Sequence, residues 1–361
     1  MTQMRAVQVK GTGKTANDLY IDKVQRPKPQ KGQVLVKVNA FGLNRMDIMQ
    51  RQGLYPLPPG VTDILGVEFS GVVEETAGTK FNKGDAVFGL AYGGAYAEYI
   101  CVAEGMVTVK PEGVTDVQAA AICENWLTAY QALYWIGETK PNQSVLIHAG
   151  GSGVGLAAIQ LAKTFGASKI FATAGSDDKV KFVEQHGATC FNYKTQDWAE
   201  EISKATDKAG VNVIIDLVGA SYWEKNIASL QRDGHLVLVG LVGGRQTEKP
   251  LDLGMLLFKR LRVQGGSLRT TNCIGGLTTF PSNPGHDAGT TLRSRSLEYQ
   301  SELLAEFSEK ALHKLFSKCN GQSGLDLVIH KVYNWEEISD AHKEMEDAKN
   351  TGKIICTVPS S

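Results

Sequence analysis

The run His148-Ala149-Gly150-Gly151-Ser152-Gly153-Val154-Gly155 gathers the residues of this chain best suited to chemistry. Side chains this small let backbone N–H groups approach an anion closely. A strand pattern, Ser144-Val145-Leu146-Ile147-His148, leads into the turn, and a helix pattern with one apolar face, Leu156 to Lys163, leads out of it. The turn therefore sits at a helix N-terminus, where orphan N–H groups and the helix dipole favour a phosphate. Against G-x-G-x-x-G the match is Gly150-x-Ser152-x-x-Gly155, with serine in the middle glycine position, so the motif alone is an imperfect fingerprint.

The next strand end narrows the ligand. NAD-binding turns place an acid there for the ribose hydroxyls. This chain reads Thr173-Ala174-Gly175-Ser176-Asp177-Asp178-Lys179, with Gly175 standing 20 residues after Gly155 and no acid at the strand tip. The Ser176 hydroxyl and the Lys179 ammonium suit a 2′-phosphate and point to NADPH. Asp177 and Asp178 oppose that reading, although acids in the first turn of a helix are also ordinary dipole chemistry.

Other chemistries fit worse. A Gly-x-Ser-x-Gly nucleophile elbow fails because Gly150-Gly151-Ser152-Gly153-Val154 ends on valine, which argues against acyl transfer. His148 either contacts a cofactor or is a packed neutral histidine, and the second reading is favoured. The short basic run Lys259-Arg260-Leu261-Arg262 reads as solvated charge at a strand edge.

The elements that must position these residues alternate. Strands are expected at 144–148, 169–173, 189–193, 212–216, 235–239 and 261–263, separated by helical stretches. Six strands in this rhythm predict a doubly wound parallel Rossmann sheet in an α/β protein. Val145-Leu146-Ile147 and Val213-Ile214-Ile215 are the unbroken apolar runs that strands covered on both faces need. Before this region, residues 1–125 read as short strands between turns; residues 126–267 form the nucleotide-binding domain. Residues 268–291 show no period and stand as an atypical insertion. Over 292–361 a charged helix is expected from Ser296 to Ser317, another from Trp335 to Asp347, and a last strand from Lys353 to Val358 that completes the N-terminal β region.

Composition limits the partners. Lysine plus arginine and aspartate plus glutamate balance at 38 each, which leaves no electrostatic footprint for nucleic acid or an anionic membrane. The N-terminus lacks a secretory pattern and no apolar run reaches membrane-spanning length. Six scattered cysteines fit reduced thiols in the cytoplasm better than a metal pair or a disulfide framework. A small-molecule partner is expected.

Motifs along nearly the whole chain carry a resemblance. They include Leu43-Asn44-Arg45-Met46-Asp47, Ile64-Leu65-Gly66-Val67-Glu68, Trp126-Leu127-Thr128-Ala129-Tyr130, the glycine turn, Phe191-Asn192-Tyr193, Gly219 with Ser221 to Asn226, and Leu292-Arg293-Ser294-Arg295. Together they resemble the zinc-free quinone oxidoreductases of the medium-chain dehydrogenase/reductase superfamily, most of all the stress-inducible NADPH:quinone branch. The resemblance implies a GroES-like β-rich catalytic domain built from both termini beside the Rossmann domain, an active site in the cleft between them, and a homodimer or tetramer. Zinc-dependent relatives carry metal ligands where this chain has Asn44, Val67 and, nearby, Glu124, so no metal is expected.

By the same resemblance, Gly150, Gly151, Ser152, Gly153, Val154 and Gly155 cradle the pyrophosphate, and Gly175, Ser176 and Lys179 hold the 2′-phosphate. Tyr193 lies against the adenosine, Asn44 and Thr128 line the nicotinamide end, and Gly219, Leu241 and Asn350 complete the cofactor site. Bland readings stay open: Tyr193 as a core tyrosine, Thr128 as a packing or capping residue, Asn44 as a turn residue. For catalysis, Tyr55 is a candidate donor to a substrate carbonyl, assisted by Ser152 or Asn44, and it serves equally as a packing aromatic. The expected reaction is direct hydride transfer from NADPH to a quinone. The alternatives are reduction of an enal or enone C=C bond, and a nucleotide-binding redox sensor or structural protein without turnover, which the insertion would favour.

Overall fold

The computed structural model describes residues 2–54, 57, 60–266, 296–316 and 326–359. Tyr55, the 268–291 insertion and the Leu292–Arg295 motif lie outside these residues. The chain divides into two compact units, Met1–Leu127 with Ser296–Ser361, and Thr128–Arg295.

The first unit is built on a seven-stranded sheet with the path Ile329–Asn334, Lys353–Thr357, Gln33–Gly42, Glu68–Thr76, Ala86–Leu90 and Val107–Val109, to which Tyr99–Ala103 adds by pairing with Gln33–Gly42. The C-terminal strand Lys353–Thr357 runs antiparallel to Gln33–Gly42, so the C-terminal segment completes the sheet of the N-terminal region. Val34, Val36, Val38, Phe41, Phe69, Tyr96 and Trp335 form its core. Gly42 is needed for a close approach: a Cβ there would lie 2.5 Å from Glu68 Oε1 and 2.7 Å from the Ala120 carbonyl oxygen.

The second unit holds a six-stranded parallel sheet in the order Thr189–Asn192, Lys169–Ala174, Ser144–Ile147, Val211–Asp216, Leu230–Leu238, Arg262–Gly265. This is a doubly wound parallel sheet, as the βα rhythm predicts, and the structure supplies its order. Val145, Leu146, Ile147, Ile214 and Ile215 are fully buried, as strands covered on both faces must be. The order reverses between Ser144–Ile147 and Val211–Asp216, whose register pairs Ile147 with Ile215. A ligand crevice is expected beyond the carboxyl ends at that point.

Two elements differ from expectation. The fifth strand starts at Leu230, ahead of His235, because Leu230 already pairs with Val211 before a bulge. The bulge carries Asp233 at φ 63°, and its polar Gln-Arg-Asp-Gly sequence mimics a turn. The segment from Trp126, where the nucleotide-binding domain is expected to begin, belongs to a helix that starts earlier, at Cys123, and passes after Tyr130 into a π-helical turn over Gln131–Ile136.

Candidate dinucleotide site

The glycine turn follows the strand Ser144–Ile147 directly. Ala149 sits at φ 52°, a left-handed conformation that a residue with a Cβ seldom adopts, and it redirects the chain into the turn. Ser152 caps the helix Gly153–Thr164, its Oγ accepting the Gly155 N–H at 3.0 Å. The hydroxyl that was a candidate for catalysis thus organises the helix start.

Each glycine has its own reason. A Cβ on Gly155 would lie 2.4 Å from the Ala149 carbonyl oxygen, and one on Gly150 would lie 2.9 Å from Ala172 Cβ. These two serve packing of turn on helix and strand. At Gly151 the nearest atom would be Lys179 Cδ, 3.7 Å away, so a pyrophosphate can approach the backbone there alongside the lysine stem. The residues present therefore fit a dinucleotide.

The second strand end comes to the same place. Ser176 caps the helix Asp177–Gln185, with its Oγ accepting the Lys179 N–H at 3.4 Å. Asp177, which argued against a 2′-phosphate, is drawn aside by Asn192, whose Nδ2 donates to Asp177 Oδ1 at 2.6 Å. Tyr193 is 45% exposed, which removes the core-tyrosine reading, and its phenol covers Gly175: a Cβ there would meet the phenolic oxygen at 2.5 Å.

Gly219 and Leu241 also meet. Gly219 is at φ 90°, and a Cβ on it would lie 2.8 Å from Leu241 Cδ2 and 2.9 Å from the Gly244 carbonyl oxygen. The Gly219 turn is held by Asp216, which is fully buried and accepts from Val218 N–H at 2.7 Å and Gly219 N–H at 3.0 Å. Burial pushes the Asp216 carboxyl up to about 6, although these N–H groups and Asn226 pull it down.

His148 is packed, as the residue reading favoured. It is fully buried, with ring contacts to Trp198 and Tyr222 at 4.8 Å each, and burial pushes its imidazole down to about 4.

Asn44 belongs to the first unit, where it starts the helix Arg45–Arg51 and its N–H donates to Asp47 Oδ2 at 2.9 Å. Its side chain does more than make a turn. Asn44 Nδ2 donates to Glu68 Oε1 at 3.0 Å, and Asn44 Oδ1 accepts from Lys353 Nζ at 2.6 Å. Lys353 also pairs with Glu68, and Glu68 Oε2 accepts the Glu124 N–H at 2.9 Å. Thr128 is half-buried on its helix, and Asn350 donates to the Gly352 carbonyl at 2.9 Å. The residue reading missed two polar clusters, Glu68 with Lys353 in the first unit and Asp216 with Asn226 in the second. For Glu68, Lys353 and Asp216 the available signal was a charge at the end of an otherwise apolar strand; Asn226, uncharged on a helix, offered none.

Comparison with known proteins adds the following. Residues 30–112 match the family described as alcohol dehydrogenase GroES-like domain, and residues 153–280 the family described as zinc-binding dehydrogenase. The chain is 34% identical over 339 residues to a quinone oxidoreductase of Sus scrofa, covering 91% of this chain and 90% of that one. It is 32% identical over 351 residues to a synaptic vesicle membrane protein VAT-1 homolog of Danio rerio, covering 96% of this chain and 69% of the relative. Among solved structures, the CurK enoyl reductase superposes with a TM-score of 0.77 at 26% identity, over 99% of this chain and 100% of that one.

Proposed function

The chain belongs to the quinone oxidoreductase-like branch of the medium-chain dehydrogenase/reductase superfamily, and on that premise we propose that this nicotinamide-dependent oxidoreductase passes hydride from NADPH to a quinone. The observation that carries the cofactor choice is the grouping of Ser176 and the Lys179 stem beside Gly151, with Asp177 tied to Asn192. When bound, the cofactor supplies the hydride. The chain's own residues cradle its pyrophosphate at Gly150 to Gly155 and meet its 2′-phosphate at Lys179. Tyr193 over Gly175 offers a ring face for the adenosine, and Gly219 and Leu241 form the turn beyond the switch point.

A quinone is a strong electrophile whose reduced oxyanion takes a proton from water after the transfer, so orienting the two reactants and keeping water out of the hydride step itself suffice. In this reading Asn44 and Thr128 line the nicotinamide end. Tyr55 is the proposed donor to the quinone carbonyl. The matched family is described as zinc-binding, yet the donor set here, Asn44, Val67 and Glu124, lacks the imidazole and thiolate ligands that tetrahedral zinc prefers. Lys353 already sets a cation against Glu68 and Asn44, which supports chemistry without a metal.

A second reading is reduction of an activated C=C bond, favoured by the likeness to an enoyl reductase. NADPH oxidation measured with a naphthoquinone, an ortho-quinone and a 2-alkenal decides between them. We expect kcat/KM for a quinone to exceed that for the alkenal by at least about tenfold, roughly 1.4 kcal/mol of transition-state preference. A preference for the alkenal would replace the quinone assignment, and NADPH binding without turnover on any acceptor would favour the non-catalytic reading.

We further propose that the chain self-associates through the edge of the parallel sheet. The strand Arg262–Gly265 pairs on one side with Leu230–Leu238, and on its other side with none of the described residues. Beside it Leu257 and Phe258 are 74% and 72% exposed, with Leu251, Leu253 and Val263 also exposed. Open edges and apolar patches of this kind attract a second chain. The double substitution Leu257→Asp and Phe258→Asp should turn the oligomer into a monomer by light scattering; an unchanged mass would move the interface elsewhere. No helix among the described residues is long and apolar enough to cross a membrane. Cytoplasmic action is part of the same proposal, and the free thiols of Cys101, Cys123, Cys190 and Cys356 support it.

A further inference from the structure

The two turns assigned to the cofactor leave neighbouring strands on opposite sides of the point where strand order reverses. A continuous chain of buried side chains joins them. Thr173, whose carbonyl accepts the Gly150 N–H at 2.8 Å, places its hydroxyl 3.0 Å from His148 Nδ1. His148 Nε2 lies 2.7 Å from Asn226 Oδ1, and Asn226 Nδ2 donates to Asp216 Oδ2 at 3.0 Å. Asp216 in turn holds the Gly219 N–H. Thr173, His148, Asn226 and Asp216 are all fully buried.

The polarity of every link is determined. Asp216 faces N–H donors only, so the Asn226 amide must turn its Nδ2 toward Asp216 and its Oδ1 toward His148. His148 therefore carries its proton on Nε2 and accepts the Thr173 hydroxyl at Nδ1. Packing alone would be served by apolar residues without the desolvation cost of a buried carboxylate. Here that cost is offset by the hydrogen bonds from Val218, Gly219 and Asn226, which hold Gly219 at φ 90°. We propose that Asn226 is a positioning residue for the dinucleotide, coupling the Gly219 turn through Asp216 to the Gly150 turn through His148 and Thr173; this rests on the reading of those turns as the cofactor site.

The test uses charge placement. Asn226→Asp puts two carboxylates at hydrogen-bond distance, which cannot both stay ionised without repulsion. The titratable groups facing Asp216 are His148, through Asn226, and the Tyr222 phenol. Burial holds the imidazole down to about 4 and the phenol up, so both are uncharged near neutrality in the native protein. At pH 8 the variant's repulsion should pull Asp216 off the Gly219 N–H. At pH 6 a shared proton should restore the link. Fluorescence titration with NADPH is expected to show the variant weakened about tenfold or more at pH 8 and recovering toward the native protein at pH 6.

The reciprocal pair Asp216→Asn with Asn226→Asp keeps the links to His148, between positions 216 and 226, and from Oδ1 of position 216 to the Val218 and Gly219 N–H groups; it gives up only the 3.2 Å contact of the Gly219 N–H with the second oxygen and moves the single charge by one position. It should bind NADPH within about threefold of the native protein at both pH values. An Asn226→Asp variant that binds like the native protein at both pH values, or is weakened equally at both, overturns the positioning role, as does a swapped pair as weak as the single variant. Native protein that binds NADH but not NADPH defeats only the 2′-phosphate reading, and the same titrations with NADH then decide the positioning role. Native protein that binds neither nucleotide overturns both proposals.

Discussion

Replacing Lys353 by methionine is expected to destabilise the protein by about 3–5 kcal/mol, the usual result of removing one partner from a buried ion pair. The Lys353 and Glu68 side chains are only 5% and 1% exposed, so no water takes over when the ammonium is lost. Glu68 would keep the Asn44 amide and the Glu124 N–H but lose its countercharge, and Asn44 Oδ1 would lose its donor. A chain of this size should show a fall in melting temperature of roughly 4–7 °C. The double variant Glu68→Gln with Lys353→Met removes both charges and should recover most of the loss. Thermal and urea unfolding of the native protein, the Glu68→Gln and Lys353→Met single variants and the double variant measure the coupling directly. A single variant within about 1 kcal/mol of the native protein would mean that the pair is hydrated and contributes little.

The second large effect concerns the cofactor. Lys179→Ala should weaken NADPH binding about 10- to 100-fold, since a charge-assisted contact to phosphate is worth about 1.5–3 kcal/mol. NADH, which lacks that phosphate, should lose less than about threefold, through the stem that lies along Gly151. The NADPH penalty should also shrink as salt screens the interaction. Titration of both cofactors at low and moderate ionic strength tests this. Equal losses on the two would take the 2′-phosphate away from Lys179.

Much of the second unit was legible along the chain because its signals are local. Unbroken apolar runs such as Val145-Leu146-Ile147, set in a βα rhythm, read as strands covered on both faces, and the small residues from Gly150 to Gly155 between strand and helix patterns read as a tight turn. The absence of an acid at the Thr173–Gly175 strand tip is equally local. The fifth strand begins before its expected start at His235 because a polar bulge at 231–234 reads like a turn when its partner strand is out of view.

The sequence by itself determined the α/β class and the doubly wound parallel sheet, and it marked the glycine turn as the candidate phosphate site, since hydrophobic period, glycine placement and helix starts act over neighbouring residues. Only the tertiary structure decided what the isolated polar residues do. It tied Asp177 to Asn192, exposed Tyr193, and made His148 one link in a buried chain with Thr173, Asn226 and Asp216. It also joined Asn44 and Glu68 to Lys353, 309 residues after Asn44. A buried polar group takes its role from the partner that satisfies it, and sequence spacing carries no record of a partner brought close only by sheet pairing and core packing.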